Sequence, residues 1–395
     1  MEKKITAKFH LNDLAIWGFV LIVAYYFLFN LFVRTVYATT VTVALTYLRY
    51  FTLFVLVWAI LRGLVVDSAS RRFIIGFLLS SLLVIAGTFL FHPEIDQFSE
   101  TVSTFFSTVA QLALLAYLVT DVEKLFRYLR IFSIIAAMLL LYYLFIHGVT
   151  YNSGQYSMAL GYVSLVPAAV LFHEFYRHKK IIDLVAALIV TVTIISFGSR
   201  GPLLCLGLYM VFLLLKNSKP QYMIAAIIAL LFFYLFFNQI MSLLLSVTSG
   251  SSASRTLQYI LNGQMSEDSG RYLKYSKVID ALKQNPFVIR GINSDYLLLG
   301  KYTHNIFLEI LYEFGCIFGG IMCVDLIYRI VNSFLHSSDS IESELCFMFM
   351  CIAIPQLMVS HSLWAEWTFW VWFVIYIKVY GHGLLQAVLL AINNR

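Results

Sequence analysis

One stretch of the sequence, from Thr248 to Thr303, concentrates side chains that could bind an anion. Its basic residues outnumber its acidic ones, and they are Arg255, Arg271, Lys274, Lys277, Lys283, Arg290 and Lys301. The arginines are the stronger candidates, because a guanidinium presents a rigid fork to two phosphate oxygens whereas lysine offers a point charge. The stretch therefore predicts a site for a phosphate-bearing ligand, with contacts to lipid phosphates or plain solvation as the alternative.

An amphipathic helix is predicted inside this stretch, from about Gly270 to Lys283, because apolar residues recur there at helical spacing. These residues are Tyr272, Tyr275, Ile279 and Leu282. We expect this stripe to rest on the rest of the protein or at the membrane interface. Arg271 and Lys274 share the adjacent face with Val278.

A second anion site is predicted at the turn that runs from Gly198 to Pro202 between two apolar segments. Glycine permits the chain reversal, and Pro202 suits the first turn of a helix. A helix N-terminus offers free N–H groups and a positive dipole end, which would act together with Arg200. The alternative is an interfacial arginine that contacts lipid headgroups.

The end of the basic stretch supplies acid-base candidates. Thr303 is expected to cap a helix whose first turn carries His304, and histidine can take a proton from an attacking hydroxyl. A plain hydrogen-bonding role for His304 is the alternative. Glu309 and Glu313 follow in increasingly apolar sequence, where carboxylates usually face a bundle interior or a wet cavity.

The elements that must position these residues are membrane-spanning helices, since the composition is 61% hydrophobic and 12% charged. A span needs about 20 apolar residues, and the sequence predicts an all-α integral membrane protein with about twelve spans. They lie near Leu14 to Val33, Thr39 to Leu61, Phe73 to Phe91, Thr101 to Thr120, Ile131 to His147, Ser157 to Phe175, Ile181 to Phe197, Gly201 to Leu215, Tyr222 to Val247, Phe314 to Phe334, Leu345 to Ser360 and Trp367 to Tyr380.

The orientation follows from lysine and arginine in the short connections, which stay in the cytoplasm. These residues alternate along the chain, so both termini are predicted to be cytoplasmic and residues 248–303 to form one large extracytoplasmic loop. Residues 1–395 are expected to form a single polytopic membrane domain, inserted through uncleaved spans. Arg49, in the second span, receives no role.

Cysteines and tryptophans are expected to serve packing and anchoring. The five cysteines lie inside predicted spans without histidines at zinc-site spacing, so no metal and no cofactor is predicted. Trp364, Trp367, Trp370 and Trp372 are expected to be interfacial anchors, with sugar stacking as the alternative.

Several of these segments together resemble the O-antigen polymerase and ligase superfamily. They are Ser196 to Pro202, Ser269-Gly-Arg271, Asn285-Pro286, and Thr303-His304-Asn305 followed by Glu309, in this order. The resemblance covers roughly Ser157 to Phe334. It implies a GT-C-like bundle of about twelve helices with one large outer loop that contains amphipathic helices.

The resemblance implies a metal-independent glycosyltransferase of the bacterial inner membrane that polymerises undecaprenyl-diphosphate-linked oligosaccharide repeat units into O-antigen, capsule or exopolysaccharide. It assigns catalysis to His304, Arg271 and Arg200, and substrate contacts to Arg255, Arg290, Lys274, Asn305 and Glu309. The expected partners are the lipid-linked donor and acceptor, the bilayer, a chain-length regulator and a flippase, and not nucleic acid.

Two other functions stay open from the sequence. One is an O-antigen ligase that transfers finished polymer to lipid A core. The other, more distant, is a flippase or transporter, which usually shows repeated halves with broken helices. We see no such repeat in the sequence.

Overall fold

A computed structural model of the protein describes residues 2–32, 39–91, 98–147, 158–197, 200–216 and 271–381. Within these ranges the regular structure is helical, without β-strands. A π-helical turn, Phe105–Val109, joins α4 to α5. The helices are α1 (Glu2–Phe32), α2 (Thr39–Val66), α3 (Ser68–Phe91), α4 (Phe98–Thr104), α5 (Ala110–Leu118), α6 (Val122–His147), α7 (Met158–His178), α8 (Ile181–Ser196), α9 (Arg200–Lys216), α10 (Arg271–Gln284), α11 (Ser294–Leu299), α12 (Ile306–Leu335), α13 (Ile341–Val359) and α14 (Trp367–Tyr380).

Eight helical segments in these ranges are long and apolar enough to cross a bilayer, and α8, α9 and α14 contribute shorter apolar helices. Large apolar side chains on α3 stand exposed, such as Leu83 at 72% and Leu90 at 79%. Lipid covers such surfaces in a membrane protein. The protein is therefore an α-helical, multi-pass membrane protein.

Each predicted span coincides with one of these apolar helices, with one exception. The run from Tyr222 to Val247 lies outside the described residues, together with residues 248–270 of the predicted outer loop. The total of about twelve spans therefore stays a prediction.

The chain divides into two compact units. One unit contains Val23–Arg49 and Glu123–Glu267, and in it α7, α8 and α9 pack against one another. The other contains Met1–Ile22, Tyr50–Val122 and Asp268–Arg395, and in it α14 packs against α5 and α13 while α10 packs against α12. The second of these units holds Arg271 and His304.

Helix α12 is interrupted at Gly315, whose backbone has φ +74° and ψ 166°. Residues 286–291 lie against the break: Cys316 N–H donates to the Pro286 carbonyl at 2.6 Å, and the N–H groups of Arg290 and Gly291 donate to the Glu313 carbonyl at 2.8 and 2.9 Å. These bonds provide partners for backbone groups that lose their helical hydrogen bonds at the break. A side chain at Gly315 would approach the Phe287 carbonyl oxygen within 3.0 Å.

We predict that Gly315→Ala destabilises the protein by about 1–3 kcal/mol, because its backbone conformation is one that essentially only glycine adopts. Gly320 lies on the same helix with open space around it. Gly320→Ala is the matched control and should be neutral or slightly stabilising. Thermal unfolding in detergent measures both variants, and equal melting temperatures would contradict the prediction.

Candidate functional site

Helix α10 contains two of the predicted basic residues, Arg271 and Lys274. Its presence confirms the helix that was predicted from about Gly270 to Lys283. Val278 and Leu282 are buried against Tyr312 of α12. The face that carries Arg271, Lys274 and Val278 therefore packs inward, and both charged side chains are half-buried.

The predicted apolar stripe of α10 is wrong in part, because Tyr272 and Ile279 are exposed. Two faces compete in this sequence, one through Lys274 and Val278 and one through Tyr275 and Ile279. They differ by one residue, which is about 100° of rotation around a helix. Packing against α12 selects the first face, and periodicity within α10 could not decide this.

Arg271 and His304 meet at the C-terminal end of α13. Arg271 Nη2 donates a hydrogen bond to the Val359 carbonyl at 2.8 Å, and His304 also hydrogen-bonds the backbone of Val359. Tyr275 Oη donates to the His304 carbonyl at 3.1 Å, and the Tyr302 ring lies 4.2 Å from the imidazole, centroid to centroid. Contacts from three chain segments thus fix the position of His304.

Asn305, and not Thr303, caps α12. Asn305 Oδ1 accepts hydrogen bonds from the N–H groups of Phe307 and Leu308 at 3.0 and 3.2 Å. His304 therefore precedes the helix, with a left-handed backbone at φ +62°. The prediction that Thr303 caps the helix and that His304 lies in its first turn is wrong. The described contacts of the Asn305 side chain are structural, and its contact with substrate stays a prediction.

Asp295 explains why Thr303 does not serve as the cap. Its Oδ2 accepts hydrogen bonds from Thr303 N–H at 2.7 Å and from Thr303 Oγ1 at 2.8 Å. Burial raises the pKa of Asp295, although both bonds from Thr303 act to lower it. No pattern in the sequence indicated this pairing, which closes the connection between α11 and α12.

The basic groups at this site repel one another. Burial, together with the charges of Lys274 and Arg271, lowers the pKa of His304 to about 4. Burial also lowers the pKa of Lys274, with the charges of Lys301 and Arg271 adding to the effect and Asp295 opposing it. His304 is consequently neutral at pH 7, beside cations that would gain from a bound anion.

Glu309 and Glu313 are fully buried on α12, one helical turn apart. Glu309 Oε1 accepts hydrogen bonds from Ser362 Oγ at 2.6 Å and Leu363 N–H at 2.9 Å. Glu313 accepts from Asn293 N–H at 2.6 Å and Trp364 Nε1 at 2.9 Å. The two carboxyl groups thus join α12 to the loops around residues 293 and 363. A contact of Glu309 with substrate stays a prediction.

Arg290 has a structural position. Its guanidinium lies 4.6 Å from the Tyr312 ring centroid and donates to backbone carbonyls, including that of Asn285 at 2.8 Å. Further carbonyl partners at 3.3 Å are Val288, Tyr312 and Ala281. These contacts provide hydrogen-bond partners for the guanidinium without a ligand. Its predicted contact with substrate stays a prediction.

Arg200 begins α9, so Pro202 lies in the first turn of a helix as predicted. Arg200 belongs to the other compact unit. Arg255 lies outside the described residues. The proposed participation of both arginines therefore stays a prediction.

The tryptophans of the last helical region correct the anchor prediction in part. Trp364 and Trp372 are buried, and Trp372 Nε1 donates to Ser333 Oγ at 3.2 Å. Trp370 Nε1 donates to the Leu363 carbonyl at 2.9 Å. Their N–H groups therefore serve hydrogen bonds inside the protein, because an indole buried in an apolar environment needs an acceptor.

Within the described ranges, no group of three or more histidine, cysteine, aspartate or glutamate side chains could hold a metal ion. Comparisons with models of protein families, with curated proteins and with solved structures find nothing that matches the chain.

We predict that Trp364→Phe destabilises the protein by about 1–3 kcal/mol, because it leaves a buried oxygen of Glu313 without its donor. Trp58 stands exposed on α2. Trp58→Phe is therefore the control, and its effect should lie within about 0.5 kcal/mol of zero. Thermal unfolding in detergent measures both variants. An equal fall in melting temperature in the two variants would show that this hydrogen bond does not stabilise the protein.

Proposed function

We propose that this protein is a membrane glycosyltransferase that polymerises lipid-diphosphate-linked oligosaccharide repeat units. The observation that carries the proposal is the grouping of Arg271 and Lys274, whose positive charges repel one another, beside the neutral imidazole of His304. Holding like charges together costs free energy that an anionic ligand returns. The resemblance of the surrounding motifs to O-antigen polymerases and ligases supports a lipid diphosphate as that anion.

The geometry of Arg271 supports a phosphate ligand in particular. Its Nη2 atom is bound to the Val359 carbonyl, which fixes the orientation of the planar guanidinium. The side chain is half-buried, so its interaction with an anion would be less screened than at an open surface. A guanidinium held in this way can stabilise charge that develops on a leaving diphosphate.

In the proposed reaction, the oxygen of an acceptor sugar hydroxyl forms a bond to the anomeric carbon of the donor. The bond between that carbon and the diphosphate oxygen breaks, and its electron pair leaves with the lipid diphosphate beside Arg271 and Lys274. The hydroxyl proton passes to His304, whose neutral imidazole is the form able to accept it. Nδ1 of His304 is buried and has no hydrogen-bond partner among the described residues.

A ligase is the nearest alternative, since it would use the same donor and the same chemistry. The glycans of a deletion strain distinguish the two: loss of a polymerase leaves single repeat units, whereas loss of a ligase leaves long lipid-linked polymer.

A transporter is the second candidate, because the interruption of α12 at Gly315 is a feature that transporters use for substrate sites. Here the freed backbone groups of Glu313 and Cys316 are bonded to residues 286–291. This favours a structural joint over an open ion site. Chain lengthening by purified protein without an ion gradient would exclude transport as the function.

We predict that Arg271→Ala lowers the rate of chain lengthening about 100- to 1000-fold, as expected for a group that stabilises a leaving anion. Arg271→Lys should also be impaired, because lysine lacks the fork. Lys283 lies on the same helix, exposed and paired with Asp280 at 3.4 Å. Lys283→Ala is the control for lost charge, and its activity should stay normal.

The assay uses purified protein in liposomes with lipid-linked repeat units, and gel separation reports product length. Long product from Arg271→Ala at the normal rate would remove Arg271 from the mechanism. Loss of activity in Lys283→Ala as well would indicate a general requirement for positive charge.

We predict that activity falls with decreasing pH as His304 gains a proton, since a protonated imidazole cannot accept another. For kcat/KM, which reports the free protein, the acidic limb should lie near pH 4, the pKa of His304. For kcat it should lie at higher pH, because a bound diphosphate offsets the charges of Arg271 and Lys274 that lower this pKa. Circular dichroism at each pH controls for unfolding, and an unchanged limb in His304→Gln would contradict the assignment.

A further inference from the structure

Several buried polar groups near α12 have no hydrogen-bond partner among the described residues. They include both amide atoms of Asn293, Oγ of Ser294 and Oε2 of Glu309. Asn293 and Glu309 are completely inaccessible to solvent, and Ser294 nearly so. An unsatisfied buried polar group destabilises the folded state, and native proteins leave few of them.

These unpartnered groups belong to one region of the protein. The backbone N–H of Asn293 bonds Glu313 Oε1 at 2.6 Å, and Glu309 lies one turn before Glu313 on the same helix. Asp295 follows closely in the chain and lies within electrostatic reach of both glutamates. Nδ1 of His304, also buried and without a partner, lies at the far end of the same connection.

The chemistry of these atoms selects one class of ligand. An amide both donates and accepts hydrogen bonds, a serine hydroxyl does the same, and a carboxyl oxygen accepts. None of these atoms offers the positive charge that an anion would need, and an apolar molecule would leave every one of them unsatisfied. A molecule rich in hydroxyl groups satisfies donors and acceptors together.

We propose that Asn293, Ser294 and Glu309 form an enclosed subsite for the hydroxyl groups of a sugar. This inference rests on the proposed function, in which the sugar is the end of the acceptor chain that attacks beside His304. Because the atoms are closed to solvent, the segment from Asn293 to Gly300 must move when the sugar enters, while His304 stays held by its contacts with α10 and α13. Gly300, with φ +67° and open space around it, ends that segment.

Asn293→Gly is the decisive variant. Asn293 has a left-handed backbone at φ +59°, which glycine adopts without strain. Its amide makes no hydrogen bond among the described residues, so its removal should leave the melting temperature unchanged or raise it. Sugar binding should weaken about tenfold or more, since a lost hydrogen bond of about 1.4 kcal/mol changes affinity by that factor.

Asn305→Ala is the control for stability. The Asn305 side chain accepts two hydrogen bonds as the cap of α12, so this variant should lower the melting temperature. A destabilised Asn305 variant beside a stable Asn293 variant would show that the Asn293 amide is held for a ligand and not for the fold.

Saturation-transfer NMR on the protein in detergent micelles measures the binding of methyl glycosides of hexoses, 6-deoxyhexoses and N-acetylhexosamines. Binding to wild type that weakens in Asn293→Gly supports the subsite. Equal binding to both proteins, or no binding of any of these sugars to wild type, overturns it and leaves ordered water as the occupant.

Chain lengthening tests the proposed function separately. Sugar binding that depends on Asn293, in a protein that lengthens no chain, keeps the subsite and overturns the polymerase. Normal chain lengthening with an unchanged KM for the acceptor in Asn293→Gly overturns the subsite and keeps the polymerase.

Discussion

Two carboxyl groups buried on α12 require hydrogen-bond donors, and meeting this requirement organises the rest of the site. Glu309 obtains its donors from the loop between α13 and α14, and Glu313 obtains one from that loop and one from Asn293. The two loops are far apart in sequence. Because both bond one end of α12, they are held at that end, and with them the last carbonyl of α13, at Val359. Arg271 and His304 take their positions from that carbonyl.

Electrostatics divides the site into two layers of opposite character. Asp295, Glu309 and Glu313 lie buried, while Arg271 and Lys274 on α10 are half-buried. The cations receive limited compensation from the acids, since Asp295 opposes the lowering of the Lys274 pKa without abolishing it. The ligand proposed above, with a diphosphate at one end and sugar hydroxyls at the other, would complement both layers. A simple anion complements one.

Much of the helical framework was predictable from the sequence, because long apolar runs leave few alternatives to helices in lipid. The amphipathic helix α10 was predictable for a different reason, because apolar residues recur in it at helical spacing. The cap at Asn305, the inward face of α10 and the pairing of Asp295 with Thr303 were not. Each depends on a contact between segments that are distant or irregular, and such contacts leave no periodic pattern. The loop that bears Ser362 was missed because it carries no motif and gains its role only through Glu309.

The interruption of α12 separates a part of the site that is fixed from a part that can move. Residues 286–291 are bonded to the break around Gly315, and Ile292 N–H donates to Thr88 Oγ1 of α3 at 3.0 Å. Beyond this point the segment from Asn293 to Gly300 is held by the bond from Asn293 N–H to Glu313 Oε1 and by the pair of Asp295 and Thr303. If a sugar replaces the bond between Asn293 N–H and Glu313, the break at Gly315 need not change. On this proposal the sugar enters at the cost of local bonds that it replaces, while the helix that carries both carboxyl groups stays in place.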